Sequence, residues 1–265
     1  MNPAISLKCF SGIAILLCLS FHQVRPQKVP LPEGEDCSDI RKKNPSSASG
    51  VYWIKPAGAT QSFQVACEMN EDGGWTVIQR HNGENSLDFE KTWAEYKTGF
   101  GNPSGEVWQG LDNFYFLTNQ PNKKAQLVVS LQAFSGETAI AQYDSFKVGN
   151  EASAYQLSLG AYSGTAGDAF RGLNDGDQDH KSQEGSKFST KDKDNDNCDP
   201  CFMGDIAFPS CSTSSGWWFS SCGMANLNGQ WHPQTNYIGW ASGLHWKTWK
   251  NLESLKSSVL KIKTA

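Results

Sequence analysis

The chain predicts a mixed α and β fold. Short β-rich runs are separated by Pro, Gly and Asp-Gly punctuation, two stretches of helical spacing lie among them, and residues 162–242 read as loop. The first strands fall at residues 50–54, 63–67 and 75–79, rich in Val, Ile, Tyr, Phe and Trp. A bridge from Cys37 to Cys67 would staple this small sheet. Residues 92–97 place Trp93 and Tyr96 three apart, and residues 107–117 offer Leu111, Phe114, Tyr115 and Leu117 at helical spacing. Strand patterns return at 126–132, 139–148 and 155–159. From Tyr162 to Ser242 the composition turns to Gly, Asp, Ser, Asn and Trp, and a loop region of that length is usually functional. Residues 259–263 form a last strand that returns to the main sheet, making the loops an insertion on a rigid base.

Residues 1–20 have the layout of a secretory signal peptide: a short start, an apolar run from Phe10 to Leu19, then a polar Pro-containing segment. The run is roughly half the ~20 residues a membrane span needs. Residues 21–36, with Pro26, Pro30, Pro32 and Gly34, read as an extended tail, so structure is expected from Cys37 to residue 265. Of eight cysteines, Cys9 and Cys18 leave with the signal, and Cys37, Cys67, Cys198, Cys201, Cys211 and Cys222 remain. An even set in an oxidising compartment implies disulfides, for which about fifteen pairings of six cysteines exist. None is left over to link subunits, so any homo-oligomer is expected to be non-covalent. A formal net charge of -4 with no basic stripe excludes nucleic acid and anionic membranes as expected partners. No Asn-X-Ser/Thr acceptor occurs, because Asn44-Pro45-Ser46 and Asn102-Pro103-Ser104 carry proline in the middle.

The chemistry concentrates at residues 191–201. Asp192, Asp194 and Asp196 alternate and run into Cys198-Asp199-Pro200-Cys201, and alternation in an irregular loop turns every second oxygen toward one point. A hard cation such as calcium wants about six to eight oxygens. The start resembles a helix-loop-helix calcium loop, yet position six is Asn197 instead of Gly and position twelve is Met203 instead of Glu. A solvated acidic turn is the plain alternative. Zinc held by Cys198, Cys201, Cys211 and Cys222 is another, weighed against the oxidation expected outside the cell. The acids around Cys198 oppose a reactive thiolate. The five histidines lack metal spacing, and no nucleophile turn, paired acid or phosphate loop marks an enzyme. Ten tryptophans include Trp217, Trp218, Trp231, Trp240 and Trp246 close together, at least half of them expected in the core.

Residues 36–263 resemble a fibrinogen-related domain. Matching stretches include Gly50-Val51-Tyr52, Gly73-Gly74-Trp75-Thr76-Val77-Ile78-Gln79-Arg80, Tyr162-Ser163-Gly164-Thr165-Ala166-Gly167-Asp168, Ser215-Gly216-Trp217-Trp218-Phe219, Asn226-Leu227-Asn228-Gly229 and Trp246-Lys247-Thr248-Trp249. The resemblance implies an α+β fibrinogen C-terminal-like domain: a small N-terminal sheet, a central mostly antiparallel sheet with helices, and a loop-rich calcium- and ligand-binding subdomain. It implies Ca2+ at Asp194 and Asp196 with backbone oxygens of Cys198 and Pro200, a bridge Cys211–Cys222, and hence Cys198–Cys201. It implies a ligand pocket at Phe219, Ser221, Cys222, Gly223, Trp240 and Ala241, with a cis bond between Ser221 and Cys222. Lectin-like members carry a histidine where Gly223 stands, which weakens acetyl-group binding. The short tail resembles the microfibril-associated branch in architecture, and the cysteine pair in the loop resembles the angiopoietin branch. The expected function is a secreted, non-enzymatic recognition module of extracellular matrix or innate immunity, binding a glycan, acetylated sugars among them, or a matrix protein. The alternative is an angiopoietin-like ligand of a cell-surface receptor.

Overall fold

A computed structural model describes residues 33–84, 86–172, 182–196, 198–203, 206–232, 243–251 and 253–265. The signal segment 1–20 and residues 21–32 of the tail lie outside the described residues. Residues 33–36, expected in the tail, already belong to the domain. Glu33 donates its N–H to the Trp53 carbonyl (2.8 Å), Gly34 bridges Ile54, and Asp36 caps the first helix. No helix among the described residues is long and apolar enough to cross a membrane.

Helix α1 (Cys37–Lys43) starts because Asp36 accepts the Asp39 N–H at 2.8 Å, and ends on three basic residues that suit its negative pole. Strands β1 (Gly50–Ile54), β2 (Phe63–Asn70) and β3 (Gly73–His81) form consecutive antiparallel pairs. Helix α2 (Trp93–Thr98) begins in a capping box in which Thr92 and Glu95 bond each other's backbone N–H. The short β4 (Phe100–Gly101) and β5 (Val107–Trp108) pair with one another, and β5 pairs with β3. Val107 and Trp108 are therefore strand instead of the start of a helix; α3 begins later, at Leu111–Thr118.

Strands β6 (Ala125–Gln132), β7 (Thr138–Tyr143), β8 (Phe146–Val148), β9 (Leu157–Leu159) and β10 (Tyr162–Gly164) follow, then β11 (Cys201–Met203), β12 (Ile206–Phe208), β13 (Ala225–Asn226) and β14 (His245–Trp246). Helix α4 (Lys247–Lys250) and β15 (Ser257–Thr264) complete the chain. In β15 Ser258, Leu260, Ile262 and Thr264 alternate inward, so the strand fits between β3 and β6 as the returning strand. The nine-stranded sheet runs β1-β2-β3-β15-β6-β7-β10, with β4 and β5 branching from β3. All its pairs are antiparallel, so the fold is α+β with a loop-rich part attached. Buried Asp36 locks the ends together: Gln120, Lys123 and Thr264 donate to its Oδ2 at 2.8, 2.9 and 2.7 Å.

Candidate metal and ligand site

The loop-rich part is anchored through Phe188. Its buried ring meets Tyr96, Trp108 and Trp218 at centroid separations of 5.1, 5.7 and 5.1 Å. Ser189 then exchanges backbone hydrogen bonds with Trp217, and Thr190 with Lys193, at 2.9–3.1 Å. Trp217, Trp218 and Trp246 are fully buried, so these tryptophans build a core where regular structure is scarce. Trp240 lies outside the described residues.

The three alternating acids divide. Asp192 turns to helix α2: its Oδ1 accepts the Trp93 N–H and the Thr190 hydroxyl, each at 2.8 Å. Burial alone would raise its pKa, but those two donors bring it below the usual value. Asp194 and Asp196 stay together. Asp194 Oδ1 accepts the Asp196 N–H (3.0 Å), and Asp196 Oδ1 accepts the Cys198 N–H (3.2 Å). Asp196 Oδ2 accepts the Cys211 N–H (2.9 Å) and the Ser210 hydroxyl (3.1 Å). Half-buried Asp196 has its pKa raised, first by burial and also by the charge of Asp194, over the opposing N–H donors. Between them Asn195, which drew no notice in the sequence, donates to the Phe188 carbonyl (2.7 Å) and to Ser189 Oγ through its backbone (3.0 Å). It clamps the turn that brings the two carboxylates side by side.

These residues fit a hard cation. The donors are oxygen, the two carboxylates repel without a counter-charge, and among the described residues Asp194 spends one of its roughly four acceptor positions on a protein N–H. The Cys198 and Pro200 carbonyls follow at the next alternate positions, around a cis Asp199–Pro200 peptide.

Disulfides join Cys37 to Cys67, Cys198 to Cys201 and Cys211 to Cys222. The four sulfurs weighed as zinc ligands do converge, all within 4.8 Å of one another, but as two disulfides that leave no thiolate. Cys211 Sγ lies 3.5 Å from both Cys198 Sγ and Cys201 Sγ, so the acidic loop and the Cys211–Cys222 bridge share one sulfur cluster.

At the pocket positions Phe219 and Cys222 are buried and Ser221 is half-buried. The Ser221–Cys222 peptide is trans, against the expected cis bond; Cys222 instead turns at a φ of 60°. Gly223 sits at a φ of 88°, and a Cβ there would run into the Gln183 side chain. Gln183 is fully buried and ties this corner: its amide donates to the Cys222 and Ala225 carbonyls (3.3 and 3.0 Å) and accepts the Ala225 N–H (3.2 Å). Nothing in the sequence singles out Gln183. Ala241, like Trp240, lies outside the described residues.

Fold, sulfur cluster and acidic loop together define a fibrinogen C-terminal-type domain. The family model for the C-terminal globular domain of fibrinogen beta and gamma chains matches residues 33–265, and the chain belongs to that family. Human fibrinogen-like protein 1 is 41% identical over 233 residues, covering 86% of this chain and 71% of that protein. Bovine angiopoietin-4 is 40% identical over 214 residues, and human angiopoietin-2 is 37% identical over 232. This chain spans 39% and 43% of those two angiopoietins' lengths. Among solved structures, the fibrinogen-like globe domain of human ANGPTL2 superposes with a TM-score of 0.74 at 35% identity, covering 86% of this chain and 98% of that one. A lamprey fibrin D-dimer complexed with the peptide Gly-His-Arg-Pro-amide gives 0.76 at 33%, covering 86% and 73%. The microfibril-associated resemblance gains no support from these matches. The domain belongs to a family of binding proteins, and it is not an enzyme.

Proposed function

We propose that this chain is a secreted, calcium-binding recognition module acting in extracellular matrix or innate recognition. Asp194 and Asp196 supply the carboxylates of the calcium site, and Cys198 and Pro200 supply backbone carbonyls. The observation that carries this is the Asp194–Asp196 pair, in which a half-buried carboxylate is pushed toward its neutral form by burial and by its neighbour. A bound divalent cation reverses that disadvantage and stabilises the folded loop by mass action.

The ligand is a protein or glycan of the extracellular space. The Gln183 side chain fills the space beside Gly223, where lectin-like members place a histidine, and this favours a protein ligand over an acetylated sugar. Angiopoietin relatives and a relative seen with a peptide support the alternative of an angiopoietin-like receptor ligand.

The test is thermal unfolding and binding of the mature protein to immobilised acetylated glycans and matrix proteins, each with calcium and with chelator. Calcium-raised stability with capture by proteins alone is the expected result. Identical melting with calcium and chelator would sink the metal site, and calcium-dependent glycan capture would restore the lectin reading.

A further inference from the structure

A cavity whose lining includes none of the proposed calcium ligands carries chemistry that the calcium site does not use. It measures about 320 Å³, within the range of ligand sites, and opens to solvent past exposed Ser86 and Asp88. Its floor is His81, 2% exposed, stacked on Phe89 with ring centroids 4.1 Å apart. One wall is the half-buried Trp231, pinned by its indole N–H donating to the Lys256 carbonyl at 2.8 Å. The loop at Gly83 lies so close to that indole that no Cβ would fit.

Three buried polar atoms on residues lining this cavity have no hydrogen-bond partner among the described residues: His81 Nδ1, Ser214 Oγ and His232 Nε2. Burial, against the pull of the Glu106 carboxylate and a nearby Leu227 carbonyl, lowers the His81 pKa to about 4, so its ring is neutral at pH 7. With the ring proton on Nε2, which faces Glu106 Oε1 at 3.7 Å, Nδ1 presents a lone pair. Glu106 supplies negative charge but is engaged, accepting the N–H groups of Asn82 (3.0 Å), Gly83 (2.8 Å) and Leu87 (3.0 Å).

Charge and geometry select the occupant. Among the described residues Asp88, Glu90 and Glu106 line the cavity and no Lys or Arg does, which disfavours an anion. Asp88 and Glu90 already pair with Lys91 (3.5 Å) and Lys191 (3.1 Å). Among the described residues the group of side chains placed to share a metal ion is the cysteine quartet, not His81, Glu106 and His232. A guanidinium wants a free carboxylate in its plane, and both Glu106 oxygens already serve backbone amides. The lining offers three unpartnered polar atoms, one for each hydrogen of a primary ammonium, and Trp231 and Phe89 offer surface for its aliphatic stem.

We propose that this cavity receives the side chain of a lysine from a protein partner. The site uses none of the proposed calcium ligands, so it survives failure of the calcium reading. The probe is Nα-acetyl-lysine N-methylamide, titrated into the folded protein while the ring nitrogens of His81 and His232 are followed by NMR. Saturable shifts at both rings are expected, with the neutral norleucine and the arginine analogues at least about tenfold weaker, the size of one charge-assisted hydrogen bond. Ser214→Ala and His81→Gln should each weaken the lysine probe by a similar factor; if His81→Gln fails to fold, Ser214→Ala and the analogue panel decide. Equal binding of norleucine, no shift at either ring because the cavity holds water only, or preference for glycinamide, whose ammonium is a chain terminus, would each overturn the proposal.

Discussion

Replacing Gly223 by histidine introduces the side chain that the resemblance implies for lectin-like members, and it should damage the protein instead of creating a lectin. The backbone there has a φ of 88°, a region that costs a residue with a Cβ about 1–2 kcal/mol. The new Cβ also meets Gln183, whose amide holds the Cys222 and Ala225 backbone. Displacing Gln183 orphans buried groups at about 1–3 kcal/mol each. A total of about 3–6 kcal/mol corresponds to a melting temperature lowered by roughly 6–20 °C for a domain of this size. Calorimetry of Gly223→His, Gln183→Ala and the double variant reads this directly. Because removing Gln183 makes room for the histidine, the double variant should be less damaged than the sum of the singles, by about 0.5–3 kcal/mol. Gly223→His melting with the wild type and capturing acetylated glycans would refute the reasoning, since it would show that Gln183 yields its place freely.

The division among the acids is tested by two alanine variants. Asp192→Ala should cost about 1 kcal/mol, the value of a lost helix cap, equally with calcium and with chelator, whereas Asp196→Ala should abolish the calcium-dependent rise in melting temperature. Without metal, Asp196 has a folded-state pKa above its unfolded value, so its contribution is present below the unfolded value and lost as pH rises through the folded one. Calcium, which needs the ionised form, should reverse that slope; urea midpoints from pH 4 to 7 in chelator and in calcium check it. His81 runs the other way: a folded pKa of about 4 against 6.5 unfolded means the unfolded chain takes up the proton first. Stability should fall by up to about 3 kcal/mol between pH 6.5 and 4, and His81→Gln should flatten that part of the urea-midpoint profile.

The sheet was legible wherever alternation was long. Residues 259–263 and 126–132 read as strands and fall inside β15 and β6, where alternate side chains meet the core over eight positions, and the spacing of Trp93 and Tyr96 marks α2, whose start the structure fixes with the Thr92–Glu95 capping box. Shorter pieces escaped. Helix α1 has two buried residues, Cys37 and Ile40, too few to declare a period, and it depends on Asp36, whose other partners, Gln120, Lys123 and Thr264, are far along the chain. Val107 and Trp108 continue a helical spacing on paper, yet their backbones are taken by Arg80 and Gln79, a pairing no local pattern records.

The same limit governs the site, and it explains why one of three equivalent-looking acids has a different role. Asp192, Asp194 and Asp196 are indistinguishable by spacing; what separates them is that the Trp93 N–H, 99 residues earlier, stands where Asp192 turns. That contact joins the loop to helix α2 at its N-terminal end. Phe188 joins the same loop to Tyr96 and Trp108 a few residues away. The carboxylate pair thus sits on a segment fixed at both flanks, by Phe188 and Asp192 before it and by the paired disulfides after it. A loop so restrained has little conformational entropy left to lose on taking up an ion, so calcium affinity should rest on the two flanks as much as on the ligands. Loosening either flank, by Phe188→Ala or by Cys198→Ser with Cys201→Ser, should weaken calcium binding while both carboxylates remain. Unchanged calcium affinity by calorimetric titration of the folded variants would show that the acids organise themselves.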